Sequence, residues 1–539
     1  MKMFFFVLSL ALIGGHLFAQ QDAWVYFTDK ENVAASISTP ISILTQKAID
    51  RKNAHGINID ERDVPVNESY ITQLKTQTGI TVLAKSKWFN ATHVRGSQSD
   101  IEALIVLNFV SSIDFADKSL NNRGNINKTK KHESKFKEQL TDFNYGNTAN
   151  QIEMINVNAL HVLNYTGEGM TVAVLDGGFS NVNIMGAFQR LREAGNLLGT
   201  YDFVNRSEDV FINAIGSHGT NVLSCMAGYI QDEYVGTAPD AKYYLFTTED
   251  GLNENPVEES YWVEAAERAD SLGIDVINTS LGYGAFYDNP NYNYSVSEYD
   301  GYTTFITKGA NIAFEKGLLL VNSAGNEGLS GVNVPADSPN VLSVGAVNAN
   351  GEYVTFSSVG STIQPTQKPD VVAQGQASYI ITNNNTVATA NGTSFSSPIL
   401  AGGVVCLWQA LPEKTNAEIM QLIRESASQY DTPDYFLGFG IPNFQEALNL
   451  GLSINTNISN QSKIIWYPNP VEERLNLKIE SNQSLVRFQL YDVLGKAING
   501  YDSVFSQSKS INMEFLPTGI YIAKLTYNAV SKTFKLVKQ

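Results

Sequence analysis

The chain has 539 residues, 43% hydrophobic and 11% aromatic, with 37 Lys plus Arg against 54 Asp plus Glu and a formal net charge of −17. At roughly 100–200 residues per domain there is room for about three or four domains with large cores, which excludes wholesale disorder. An acidic chain lacks the basic surface of sequence-independent nucleic-acid binding, so no nucleic-acid partner is expected. Two cysteines, Cys225 and Cys406, exclude a disulfide scaffold and a four-thiolate zinc site. Their apolar surroundings fit buried free thiols at least as well as a bond between them. No two of the six histidines are spaced as a helical metal pair.

In chain order, residues 1–19 carry Lys2, an apolar run over 3–13 and Ala19, the pattern of a secretory signal peptide. That run is shorter than the ~20 residues a membrane span needs. No other segment is long and apolar enough, so the mature protein is expected to carry no transmembrane segment. Residues 20–116 read as an α+β unit. Strands are expected over 23–27, 80–84, 91–94 and 109–115, and helices over 40–52, 69–76 and 97–106. Residues 117–150 read as an exposed linker, and 117–140 hold seven Lys/Arg against three Asp/Glu.

From 151 to 452 the texture is α/β. Short apolar strands are expected over 171–175, 242–246, 276–278, 318–321 and 341–344, with helices over 258–272 and 305–316. Gly273 and Gly317 stand where helix-ending glycines belong. The alternation implies a parallel sheet with helices on both faces, and functional groups gather beyond the carboxyl ends of such strands. A polar linker over 453–463 precedes 464–539. There strands over 475–479, 486–491, 520–525 and 533–536, broken by turn signals, read as an all-β sandwich.

Three motifs stand out within 151–452. Asp176-Gly-Gly ends the strand at 171–175, and taken alone fits a turn aspartate. Ser217-His218-Gly-Thr opens an apolar helical stretch, where a core or capping histidine is the plainer reading. Asn391-Gly-Thr-Ser394 leads into an apolar helix over 399–411. Ser394 then falls in the first turn, where free N–H groups favour negative charge, although Thr393 or Ser394 could equally be a cap. Elimination joins them: beyond residue 161, His218 is the only histidine. A serine hydroxyl needs a base to take its proton, and the imidazole needs a carboxylate to fix its tautomer.

With Val174-Leu-Asp176-Gly-Gly, Ser217-His218-Gly-Thr, Ser280-Leu-Gly282, Ser323-Ala-Gly-Asn326-Glu-Gly and Gly392-Thr-Ser394-x-x-x-Pro398 in that order, the chain resembles the subtilisin-like serine peptidases, or subtilases. The resemblance implies that Asp176 orients the imidazole and His218 acts as general base and then acid. It makes Ser394 the acyl-enzyme nucleophile, with Asn326 and the Ser394 N–H stabilising the oxyanion. It also implies that Ser280, Leu281 and Gly282 pair with the substrate backbone and that Gly325 opens the first specificity pocket. Gly177 stands where the family usually has Ser or Thr, and Asn221 where it usually has a second His. The loop 179–213 and the tyrosine-rich insert 283–302 match nothing by eye. Subtilases often hold calcium, but loop solvation explains the Asp and Asn residues there more simply. No cofactor is required.

By position and element order, residues 20–116 resemble a subtilase pro-region, an intramolecular chaperone and inhibitor whose tail lies in the cleft. A substrate- or wall-binding module is the alternative. Residues 464–539, with Tyr467-Pro-Asn-Pro470, Pro517-Thr-Gly519 and Lys535-Leu-Val-Lys538, resemble the type IX secretion sorting domain of Bacteroidetes. A carbohydrate-binding sandwich is the alternative there. The expected protein is a secreted serine endopeptidase acting on proteins or peptides, exported by the type IX machinery to the surface or medium. An α/β esterase would carry a G-x-S-x-G elbow with its histidine last, which this order contradicts. A catalytically inactive subtilase-fold adhesin is the remaining rival.

Overall fold

The computed structural model describes residues 20–121, 143–212, 215–251, 253–452, 464–479, 486–492, 496–505, 509–527 and 530–538. The signal-peptide reading, most of the basic linker and the 453–463 linker lie outside the described residues. At its centre is a seven-stranded parallel sheet, in the spatial order Val371–Gln374, Val341–Val347, Leu319–Ser323, Val276–Thr279, Thr171–Asp176, Lys242–Thr247 and Leu197–Asp202. Each expected strand is present and runs one to three residues further at its carboxyl end. The two edge strands were not expected. Leu197–Asp202 is mostly half-buried and Val371–Gln374 has four residues, so neither shows a sustained apolar run.

Alternate residues of the sheet face opposite helical layers. Ala173, Leu175, Phe246, Ile277 and Leu320 share one core with the helices Val257–Leu272 and Phe305–Glu315. On the other face Asn278 accepts from Ser397 Oγ (3.0 Å) of the helix Thr393–Ala410, which packs against the helix His218–Ala227. Thr171–Asp176, the first of these strands in the chain, has the next two, Leu197–Asp202 and Lys242–Thr247, on one side and Val276–Thr279 on the other. The order of winding reverses between Thr171–Asp176 and Val276–Thr279, the place where open α/β sheets leave a crevice at their carboxyl ends.

The N-terminal unit is a four-stranded antiparallel sheet in the order Thr81–Ser86, Ala91–Ser97, Gln20–Phe27, Val110–Phe115. The expected helix over 40–52 is divided into a 3₁₀ turn Pro40–Ser42 and a helix Gln46–Ala54, and a short helix Val33–Ser38 precedes it. Thr45 causes the break, because its hydroxyl caps the second helix by accepting from Ala48 N. One sheet face lies on Val257–Leu272. Trp24 stacks on Phe305 with centroids 4.5 Å apart and donates from Nε1 to Ser260 Oγ (2.9 Å).

Both ends of the linker expected over 117–150 are bonded to the body. Lys118 Nζ meets Glu298 at 3.0 Å, and Thr148 is fully buried with its hydroxyl donating to Val235 O (2.9 Å). Cys225 and Cys406 are free and buried; burial pushes the Cys225 thiol up to about 12. Among the described residues no helix is long and apolar enough to cross a membrane.

A second compact unit begins at about residue 449. It holds a three-stranded sheet (Ile464–Tyr467, Arg474–Ile479, Lys509–Asn512) and a four-stranded one (Ala497–Phe505, Val486–Tyr491, Gly519–Tyr527, Val530–Lys538), both antiparallel. Leu475, Leu477, Phe488, Leu490, Leu525 and Leu536 share its core.

The contact of the helix Thr393–Ala410 with the segment at Thr237 allows no added atoms. A Cβ on Gly402 would lie 1.9 Å from Thr237 Oγ1 and 2.9 Å from the Thr237 backbone. Gly402→Ala in a Ser394→Ala background is expected to lose about 1–3 kcal/mol through overpacking. Urea unfolding against the Ser394→Ala parent measures it.

Candidate active site

Asp176 is the last residue of its strand and fully buried. Its Oδ1 accepts from Gly177 N (2.8 Å), as a turn aspartate does, and also faces His218 Nδ1 at 2.8 Å; Oδ2 is 3.1 Å from the same nitrogen. A carboxylate at Nδ1 fixes that nitrogen as the donor, which leaves Nε2 with its lone pair.

His218 opens the helix His218–Ala227, and its side chain is 40% exposed, with one edge on the buried carboxylate. Gly219 explains how the helix comes so close, since a Cβ there would lie 2.3 Å from Gly178 O. The Asp176 charge raises the imidazole above its ordinary pKa against the opposing effect of burial, with a smaller contribution from Glu249. Of the two departures noted above, Gly177 donates its amide to Asp176, and Asn221 Nδ2 donates to Ser217 Oγ (3.4 Å).

Ser394 is the second residue of the helix Thr393–Ala410, which begins earlier than its apolar run suggested. Gly392 at its start has φ 145 and no side chain of its own first residues caps the helix, so the capping reading of Thr393 or Ser394 does not hold. Ser394 Oγ donates to the Ser280 carbonyl (3.4 Å), while Ser280 Oγ donates to Ser394 O (2.9 Å). The hydroxyl is therefore turned to Ser280 and not hydrogen-bonded to His218. Phe395, the next residue, has its ring 6.1 Å from the imidazole, centroid to centroid, so the two motifs meet in one cleft.

Asn326 is exposed. Its Oδ1 accepts from Thr393 N (2.9 Å) and Thr393 Oγ1 (3.1 Å). An amide N–H can only donate, so this pairing sets the orientation of the carboxamide and leaves Nδ2 with its two N–H groups for the cleft. Thr393, read from sequence only as a possible cap, thus positions Asn326; no local pattern distinguishes the two uses.

Ser280, Leu281 and Gly282 follow the strand Val276–Thr279. Tyr283 N then donates to Val334 O (3.0 Å), and Asn322 Nδ2 holds Leu281 O (3.1 Å). Asn333 fills the space beside both glycines of this region. A Cβ on Gly282 would lie 2.7 Å from Asn333 Nδ2, and one on Gly325 would lie 3.0 Å from it, 2.4 Å from Glu327 Oε2 and 2.7 Å from Ser358 Oγ. The space beside Gly325 is therefore lined by polar atoms from three separate positions.

Glu249, just beyond the strand Lys242–Thr247, accepts from the Tyr283 hydroxyl. Burial, together with the charges of Glu254 and Asp176, pushes it up to about 8. Fully buried Glu258 is likewise pushed up to about 9 by burial and by Glu249. The insert 283–302 is held by similar bonds: Tyr287 and Tyr294 hydroxyls both donate to Glu259 Oε1 (2.6 and 2.8 Å). In the loop 179–213, Asp202 and Asp209 accept from backbone amides two and three residues on, as turn formers do. Among the described residues no group of three or more His, Cys, Asp or Glu side chains is arranged to hold a metal ion.

Three family models match successive parts of the chain. "Peptidase S8 propeptide domain, Bacteroidota" matches residues 22–135, "Subtilase family" matches 167–440, and "Secretion system C-terminal sorting domain" matches 466–539. Subtilisin NAT of Bacillus subtilis subsp. natto is 31% identical over 301 residues, which span 55% of this chain and 70% of that protein. Subtilisin E of Bacillus subtilis (strain 168) is 30% identical with the same coverage. Subtilisin of Bacillus pumilus is 30% identical over 55% of this chain and 97% of its own. With the catalytic region matched over half the chain, and the pro-region and sorting domain matched on either side, the chain belongs to the subtilase family of serine peptidases.

Proposed function

We propose that the protein is a secreted endopeptidase that cleaves peptide bonds through an acyl-enzyme on Ser394, with His218 as base and Asp176 as its orienting carboxylate. The observation that supports this most strongly is the 2.8 Å contact between buried Asp176 and His218 Nδ1 in the cleft that also holds Ser394. As a peptide carbonyl approaches, Ser394 Oγ leaves the Ser280 carbonyl and passes its proton to His218 Nε2 while attacking the carbonyl carbon. The oxyanion accepts from Asn326 Nδ2 and the Ser394 N–H at the helix start. His218 then protonates the leaving amine, and water releases the acyl group by the same route. Ser280 to Gly282 pair with the substrate backbone in the manner of an added strand, and Gly325 lets the adjoining side chain pass. No cofactor enters any step. The pro-region inhibits the enzyme until the linker is cut, and the type IX machinery takes the sorting domain and its cargo to the surface or medium.

A fluorophosphonate probe is expected to label the wild type at Ser394 and to leave Ser394→Ala unlabelled. An inactive adhesin predicts no labelling of processed wild type. N-terminal sequencing of both secreted proteins should find a cut within 117–150 in wild type only; the same cut in the mutant would exclude self-processing. Asp176→Asn is expected to lower kcat by on the order of 10⁴. The acid limb of its kcat/KM profile should move to lower pH. The sign follows from the charge: Asp176 stabilises the imidazolium, so removing it lowers the His218 pKa and the neutral base appears earlier as pH rises. Asn326→Ala should cost about 10²–10³ in kcat with KM little changed, the size such a donor has in a relative, a subtilisin.

A further inference from the structure

Besides its contacts with the insert 283–302, the N-terminal unit touches the body of the enzyme through its sheet and through residues 33–66. Its sheet lies on Val257–Leu272, where Trp24 reaches Ser260 and Trp88 N donates to Glu267 (2.9 Å). Residues 33–66 run out from that sheet along the starts of the parallel strands and return to it at Val66, which shares the sheet's core. Lys47 Nζ reaches Thr171 Oγ1 (2.6 Å) and Asp275 Oδ2 (2.7 Å), and Thr45 N donates to Ser271 O (3.0 Å). Thr171 begins the strand that Asp176 ends, so these contacts sit about 17 Å from the catalytic carboxylate, at roughly 3.3 Å per residue.

Two glycines that end helices also receive this segment. Gly273 (φ 76) and Gly317 (φ 89) stop Val257–Leu272 and Phe305–Glu315. A Cβ on Gly273 would lie 2.5 Å from Ala48 N, and one on Gly317 would lie 2.2 Å from Ile57 Cδ1.

Between them runs a buried ion network that alternates across the boundary. Lys52 Nζ lies 2.8 Å from Asp270 of the body and 3.1 Å from Asp63; Lys316 of the body lies 2.7 Å from Asp63 and 2.9 Å from Asp60. Arg51 also binds Asp270, and Arg62 joins Asp60 to Glu315 (2.9 Å). Lys52, Asp63 and Asp270 side chains are wholly buried and Lys316 nearly so.

We propose that residues 33–66 form a second docking foot of the pro-region, which grips the edge of the sheet opposite the active site and holds the severed pro-region on the enzyme after the 117–150 linker is cut. A buried network adds little over an apolar contact while complete, but losing one partner strands a desolvated charge. Withdrawal must therefore expose all these groups nearly together, which makes departure slow and arrival register-specific. Substrate competing for the cleft acts only on the other end of the molecule and does not loosen this grip.

The test uses the full-length Ser394→Ala chain, so its outcome is independent of the peptidase reading. Limited trypsin nicks the basic linker, mass spectrometry defines the two fragments, and size-exclusion chromatography follows how long they stay together. In the parent the fragments should co-elute at 0.1 and at 1 M NaCl, because buried pairs are poorly screened (the Debye length falls from about 10 to about 3 Å over that range). Lys52→Met should speed release on the order of a hundredfold or more. If Lys52→Met does not fold, Lys47→Ala, at the exposed margin of the foot, is read in its place and should speed release several-fold. Release from the variants at the parent's rate, or a parent that falls apart on nicking, overturns the proposal.

Discussion

Everything in the cleft depends on one buried charge being paired. Asp176 is fully buried, and a buried carboxylate is costly unless its oxygens are hydrogen-bonded. Two groups lie within hydrogen-bond distance of it, the amide of Gly177 and the imidazole of His218. The strand that carries it is central in the parallel sheet, so the carboxylate cannot move to find other partners. Gly219 lets the histidine's helix come down onto the turn after that strand. The sheet fixes the acid, the acid fixes the tautomer of the base, and the glycine sets the distance between them.

Ser394 is held by a different device. Most helices are stabilised by a side chain that caps the first N–H groups. The helix Thr393–Ala410 has no such cap from its own first residues, although Thr393 and Ser394 are both chemically suited to the work. Thr393 instead bonds the Gly325 carbonyl (3.1 Å) and the Asn326 carboxamide, and Ser394 turns to Ser280. The helix thus lacks a local cap, worth about 1 kcal/mol, and its first N–H group is met by Asn326 Oδ1 instead. Its burial against the sheet, through Ile399, Leu400, Val404 and Leu407, offsets that loss many times over.

How legible all this was depended on how local the signal is. The buried strands read as apolar runs because both faces are covered, and the motifs around Asp176, His218, Asn326 and Ser394 are contiguous. The edge strands Leu197–Asp202 and Val371–Gln374 have weaker patterns and were missed. The polar atoms beside Gly325 come from Glu327, Asn333 and Ser358, positions that only the fold brings together. Gly273 and Gly317 were read correctly as helix stops, but half of their use was invisible. A positive φ leaves a mark in sequence, whereas the approach of Ala48 and Ile57 across 200 or more residues does not.

The tyrosine-rich insert shows why a loop without a matching motif need not be a specificity loop. Three of its tyrosines donate to buried or half-buried glutamates, Tyr283 to Glu249 and Tyr287 and Tyr294 to Glu259, so its inner side is bonded to the floor of the domain. Its outer side meets the pro-region. The Tyr292 hydroxyl accepts from Asp22 N (3.1 Å), Asn291 Nδ2 donates to Asp117 (3.2 Å), and Lys118 sits 3.6 Å over the Tyr294 ring while pairing with Glu298. At 118–121 the chain curls back, with Asn121 bonded in both directions to Phe115. The described part of the tail is therefore fixed by the insert, and the insert has two neighbours, the floor of the domain and the pro-region. Tyrosine suits such a position, because its hydroxyl can satisfy a buried carboxylate while its ring supplies area for the neighbour on the other side.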